Sequence, residues 1–208
     1  KFRSAYNPAW DGFRGLFIIF MIKILNKKFK PRIKARIRKN KQILGKNIDS
    51  FFGWVKGAKL VELKECNVKE DPVRPELDNN FRTGYGRKIY GVEYQDEIHA
   101  VMCFAYTNKI PKSVDELEKL STDAFLQSAM RDQSGGQIAI AYTVWSKKKG
   151  GGKLIVKEVF KKIKKSNHLN RLVTLSPLTE MATSFHTRNG AKLVQKNENT
   201  QNFEYKII

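Results

Sequence analysis

Residues 137–165, QIAIAYTVWSKKKGGGKLIVKEVFKKIKK, decide how the rest of the chain reads. Residues 137–145 are almost continuously apolar, the pattern of a strand buried on both faces. Residues 153–165 instead place Val156, Val159, Phe160 and Ile163 on one helical face and lysines on the other. Between them lies Lys147-Lys148-Lys149-Gly150-Gly151-Gly152. Glycines at a strand-to-helix junction let backbone N–H groups point at an anion, and the helix start adds about half a positive charge. Such a loop suits a pyrophosphate, and Lys147, Lys148, Lys149 and Lys153 add attraction for a polyphosphate. No Gly-Lys-Ser/Thr follows at Walker spacing, and the acidic residue of a dinucleotide fingerprint is missing.

Outward from this unit the chain alternates strands and helices. Downstream, 171–175 reads as a strand. Ser176-Pro177 reads as the cap and first position of a helix running to Asn189, closed by Gly190. Residues 191–195 and 203–207 complete the set as two strands. Upstream, 59–66 reads as a first strand, and 71–82, with two prolines, as a loop holding a short helix. Residues 87–94 and 98–107 flank the polar turn Gln95-Asp96-Glu97 as a hairpin. Residues 114–130 carry helical spacing, with Leu117, Leu120, Phe125 and Met130 expected to face inward. The order predicts an α/β layered domain.

Two spaced motifs carry a resemblance to a family. Lys147-x-x-Gly150-x-Gly152 is similar to the Gln/Arg-x-x-Gly-x-Gly/Ala loop between the fourth strand and third helix of the GNAT acyl-CoA N-acyltransferases. Thr179-x-x-Ala182-x-x-Phe185-His186-x-x-x-Gly190-Ala191 resembles their later helix motif at Ala, Phe and Gly. The resemblance implies a GNAT fold over residues 51–208: a mixed, mostly antiparallel sheet with helices on both faces and strands 4 and 5 splayed. It also implies coenzyme A geometry. Backbone at Lys149, Gly150, Gly151, Gly152 and Lys153 would hold the pyrophosphate, with Lys147 at the head of the loop. Val144 and Trp145 would pair with the pantetheine arm, and acetyl-CoA or another short acyl-CoA would be the substrate.

His186 stands where most of that family has the Tyr that protonates the departing thiolate. Its unperturbed pKa of about 6.5 suits either acid or base work. A second, more local resemblance covers about 88–207. Phe185-His186-Thr187-Arg188-Asn189-Gly190-Ala191, Thr174-Leu175-Ser176-Pro177 and 155–159 are similar to the C-terminal catalytic domain of malonyl-CoA decarboxylase, which implies a catalytic role for His186. Thr143 is the hydroxyl that stands nearest to that family's assisting serine, within Tyr142-Thr143-Val144-Trp145 where the family has Tyr-Ser-Ile-Ser. Glu93 is a candidate base on the hairpin, and Tyr142 and Trp145 read as packing.

Charge sets the remaining expectations. The net charge is +20, and residues 1–50 hold 14 Lys/Arg against 2 Asp/Glu. This basic arm would attract nucleic acid, another polyanion or an anionic lipid surface through 23–46, and could meet a protein partner. Residues 15–25 are apolar but shorter than the roughly 20 residues of a bilayer span, and Lys23 interrupts them. The chain opens at Lys1 and Met21 precedes the basic run, so residues 1–20 read as a processed or added piece. Two cysteines and three histidines show no metal-ligand spacing and need no disulfide. Three functions follow as expectations. The first is transfer of an acyl group, most simply acetyl, to an amine in the cytoplasm. The second is malonyl-CoA decarboxylation; for either enzyme the expected compartment is the cytoplasm, or an organelle matrix if the basic N-terminus is a presequence. The third is a GNAT-shaped structural or nucleic-acid-associated protein without turnover, for example a phage virion component.

Overall fold

The computed structural model describes residues 57–131 and 135–205, with isolated residues 36, 39, 53, 54 and 56 before them. The chain divides into two compact units, Lys1–Lys56 and Gly57–Ile208, and the fold belongs to the second. The expectations for 15–25 and for the arm at 23–46 lie outside the described residues, apart from Arg36 and Lys39, which are exposed. Among the described residues no helix is long and apolar enough to cross a membrane.

The sheet starts with β1 (Lys59–Leu63), β2 (Lys88–Tyr94) and β3 (Glu97–Thr107), joined antiparallel. Gln95 and Asp96 turn the β2–β3 hairpin at φ 53° and 62°, the positive values that a two-residue turn needs to match strand twist. Between β1 and β2 the chain makes the short helix α1 (Asn79–Thr83), capped by Asp78, whose carboxylate accepts from Phe81 N–H at 2.7 Å. α2 (Val114–Arg131) follows β3.

β4 (Ile138–Ser146) pairs antiparallel with β3 and parallel with β5 (Arg171–Thr174). α3 (Gly151–Lys164) connects them. β6 (Ser176–Pro177), α4 (Glu180–Arg188), β7 (Ala191–Lys196) and β8 (Thr200–Tyr205) complete the domain. β8 lies antiparallel to β5, β6 and β7.

The two sheet faces take different helices. Val101, Cys103, Ala105, Ile140 and Tyr142 form one core with Leu117 of α2. On α3, Leu154, Ile155, Val156, Val159 and Ile163 are buried, a broader face than the expected stripe, and Phe160 is half-buried. Val159 and Ile163 share a recess with Tyr90, Phe104 and Tyr106.

Two expectations are corrected. Ser176-Pro177 does not open a helix: both residues pair with β8, and Thr179 caps α4 by accepting from Ala182 N–H at 3.2 Å. Phe125 does not face the core: it is 40% exposed and its ring meets Tyr85 edge-on at 6.2 Å.

Candidate active site

The site begins with a divergence. β4 and β5 pair only from Ile138–Arg171 to Ala141–Thr174, and Leu175 N–H still donates to Ala141 O at 2.9 Å. Beyond that point Arg74 takes over. Its Nε donates to Tyr142 O at 2.9 Å and its Nη2 to Leu175 O at 3.1 Å, so one buried guanidinium spans the parting strands. The β3–β4 register also shifts here, from Cys103–Thr143 to Phe104–Ala141, leaving Tyr142 as the extra residue of a bulge. A bulge re-aims the side chains that follow it.

A buried network supports this opening. Asp71 and Arg82 are ion-paired at 2.9 Å with neither side chain exposed. Arg82 also donates to Arg74 O at 2.7 Å, Leu77 O at 2.8 Å and Cys103 Sγ at 3.3 Å. Burial opposes its charge, but Cys103 and Asp71 outweigh that and hold its pKa above the ordinary value. Asp71 accepts from the N–H groups of Val73 and Arg74, and the Thr143 hydroxyl lies 2.8 Å from both of its carboxylate oxygens. That hydroxyl has one proton and donates it to Asp71.

His186 stands on the opposite side of the divergence, on α4, and is 5% exposed. Its Nε2 lies 2.8 Å from Ser176 Oγ and its Nδ1 2.9 Å from the Tyr205 hydroxyl. Ser176 donates to Thr174 Oγ1 at 3.0 Å, and Phe203 N–H donates to that same oxygen at 3.1 Å. With the Ser176 proton directed there, the imidazole donates from Nε2 to Ser176 and accepts at Nδ1 from Tyr205. Phe203 stacks on the ring at 5.1 Å and 27°. Burial lowers the His186 pKa to about 4, so the imidazole is neutral at ordinary pH.

Both sides open onto one cavity of about 630 Å³. It brings together Thr143, Val144, Trp145, Lys147, Gly152 and His186 of the residues singled out in the sequence. Val73, Met181 and Phe185 add apolar wall, and Glu70, paired with Lys147 at 2.7 Å, adds a carboxylate. Tyr142 and Trp145 also line it, and the Tyr142 hydroxyl and Trp145 Nε1 are buried without a partner among the described residues. Glu93 does not line it.

Lys149, Gly150, Gly151 and Lys153 lie outside the lining, at the start of α3. Gly150 caps the helix at φ 85°. A Cβ on Gly151 would stand 3.0 Å from Ser146 Cβ, and one on Gly152 would stand 3.1 Å from the Phe185 ring, so this turn packs closely against β4 and α4. Gly151 N–H donates to Lys148 O at 2.9 Å. Gly152 and Lys153 occupy first-turn positions, whose N–H groups have no intrahelical acceptor. Lys148 sits over the Tyr94 ring at 4.8 Å.

The residues missed in the sequence are Asp71, Arg74, Arg82 and Tyr205, which meet the site only through long-range contacts. Ser176 was visible within Thr174-Leu175-Ser176-Pro177, but its cap reading hid its role.

A parallel β4–β5 pair that splits past a bulge, with a glycine-opened third helix beside it, is the arrangement of the GNAT fold. Solved structures with this fold align over most of the domain. The GphF GNAT-like decarboxylase, in complex with isobutyryl-CoA, matches at a TM-score of 0.55 and 8% identity, over 71% of this chain and 98% of that one. The loading GNATL domain of CurA from Lyngbya majuscula matches at 0.51 and 12%, over 72% and 98%. A malonyl-CoA decarboxylase from Cupriavidus metallidurans matches at 0.42 and 18%, over 64% of this chain but 34% of that one, so the chain spans about a third of that enzyme. No protein-family model matches the chain, and no curated protein matches it in sequence.

Proposed function

We propose that this domain binds a CoA thioester across the divergence of β4 and β5 and moves a proton at its acyl group with His186. The observation that carries the reading is the buried Thr174–Ser176–His186–Tyr205 chain at the wall of an apolar cavity. The residues present suit the ligand. First-turn N–H groups of Gly152 and Lys153, with Lys149 beside them, fit a pyrophosphate. The β4 edge at Val144 and Trp145, past the point where β5 parts from it, fits the amides of a pantetheine arm.

Of the reactions open to such a site, the geometry favours decarboxylation of a malonyl-type thioester. There the bond from the α-carbon to the carboxylate breaks, CO₂ leaves, and the electron pair passes into the thioester as an enolate. The α-carbon then takes the Nε2 proton of His186, which leaves Ser176 Oγ for the substrate, while the Tyr205 hydroxyl passes its proton to Nδ1 and water restores the phenol. A neutral imidazole N–H is a weak acid, matched to a strongly basic enolate better than to a thiolate. Apolar walls also favour losing the carboxylate charge. Thr143, tied to Asp71, positions the wall opposite His186 instead of reacting itself.

Acyl transfer to an amine is the second reading, and Glu70 is what favours it. That carboxylate lines the cavity and could take the ammonium proton, at the cost of its pair with Lys147.

The 208-residue chain incubated with malonyl-CoA, or with acetyl-CoA and a panel of primary amines, separates the readings by chromatography of the thioesters. Acetyl-CoA formed from malonyl-CoA without an amine supports decarboxylation. Free CoA formed only with an amine supports transfer, and no product from either leaves the non-catalytic, nucleic-acid-associated reading standing.

A further inference from the structure

Beyond its first turn, where Lys153 stands beside the proposed pyrophosphate site, the face of α3 turned away from the sheet has no part in this chemistry. Lys153, Lys157, Lys161 and Lys165 follow one another at four-residue steps, and all four are exposed. At 1.5 Å rise per residue the row is about 18 Å long. Lys162 and Lys164 flank it, and the single acidic residue of the helix, Glu158, is paired with Lys161 at 2.8 Å. Basic side chains in the last turn offset the helix dipole, which accounts for one or two of them but not for a row along the whole helix.

A second feature lies at the C-terminal end of this row. A recess of about 760 Å³ has Tyr90, Phe104 and Tyr106 on its sheet side and Lys161, Lys162 and Lys165 among its helix-side walls. Lys162 Nζ stands 5.2 Å from the centre of the Tyr90 ring. Of the three rings on the sheet side, the half-buried Tyr106 has most surface left to offer.

Cations that track a backbone beside aromatic rings are the pattern of single-strand nucleic acid binding. An anionic membrane would be met by apolar side chains beside the basic ones, and the exposed positions of α3 carry none. We propose that α3 is a binding face for single-stranded nucleic acid. Phosphates lie along Lys157, Lys161 and Lys165, and a base enters the recess against Tyr106. The face is separate from the His186 cavity, with which it shares no lining residue.

The test uses the full chain, a fluorescent oligothymidylate, a duplex of equal length and phosphatidylserine vesicles, over a salt series. The Lys157→Gln/Lys161→Gln/Lys165→Gln variant is expected to lower the slope of log affinity against log salt by about 2 for the single strand, at about 0.7 per phosphate. Tyr106→Leu is expected to weaken single-strand binding about tenfold and leave the slope unchanged. The basic N-terminal residues contribute equally in all variants and cancel from the comparison. An unchanged slope in the triple variant overturns the proposal. So does a triple variant that loses vesicle binding while keeping oligonucleotide binding, and an unaffected Tyr106→Leu overturns the base site.

Discussion

Ser176 Oγ stands 2.8 Å from His186 Nε2, and the two reach that distance from different elements. Ser176 is held by pairing with Gln201 on β8, and His186 is carried by α4. Tyr205, at the other end of β8, closes the opposite side of the ring at 2.9 Å. One strand therefore fixes both partners of the imidazole, and the hydrogen-bonded chain stays aligned only while α4 remains docked on it.

Replacing His186 with Gln should remove turnover and leave binding. General acid–base groups contribute about 10²–10⁴-fold, so kcat should fall by that much while the CoA dissociation constant stays within about twofold. Calorimetric titration beside the thioester assay checks both. A variant that keeps its kcat would assign the proton to another group.

The same residue should tie stability to pH. Burial lowers its pKa to about 4 in the fold, against about 6.5 in the unfolded chain. Between these values the unfolded chain binds more protons, so stability falls as pH drops from about 6.5 towards 4. The stability advantage of the parent over His186→Gln should shrink by on the order of 3 kcal/mol across that window. Urea unfolding of both proteins at pH 7.5 and 4.5 gives the difference, and parallel losses would show that the histidine is not buried neutral.

Much of this was legible in the sequence, and the limit is physical. The β4 apolar run, the glycine loop and the amphipathic α3 are local patterns, and each lies within a few residues of its expected bounds. The β2–β3 hairpin was marked by its polar turn. The Asp71–Arg82 pair left no such mark: both residues sit in a proline-containing polar segment that reads as surface, and only contacts from β3 and β4 bury them. Ser176-Pro177 has the composition of a helix start, but pairing with β8 outcompetes that preference and moves the cap to Thr179. Tyr205 reaches His186 across 19 residues, which no periodicity encodes.

Breaking the buried ion pair should cost more than breaking its hydrogen bond to β4. Asp71→Asn leaves the Arg82 guanidinium buried without its countercharge, a loss of about 3–5 kcal/mol. Thr143→Val removes one donor to Asp71 and should cost about 1 kcal/mol. Chemical denaturation ranks the two, and equal costs would mean that the ion pair is not what holds the opening.

Tyr205→Phe deletes the partner of Nδ1 while preserving the ring. It should lower stability by about 1–3 kcal/mol, since a buried imidazole nitrogen is left unsatisfied. Turnover should fall while KM stays unchanged. A rise in KM with kcat preserved would place Tyr205 in substrate binding.

The most direct measurement is the melting temperature of the 208-residue chain titrated with CoA and malonyl-CoA. Ligand at about 100 times its dissociation constant adds about 2.7 kcal/mol, a rise of about 5–10 °C at this size. The account expects a saturable rise with both ligands, lost in Lys149→Glu/Lys153→Glu, whose substitutions lie on exposed positions and leave the fold intact. No rise with either ligand would contradict a CoA thioester at the divergence of β4 and β5.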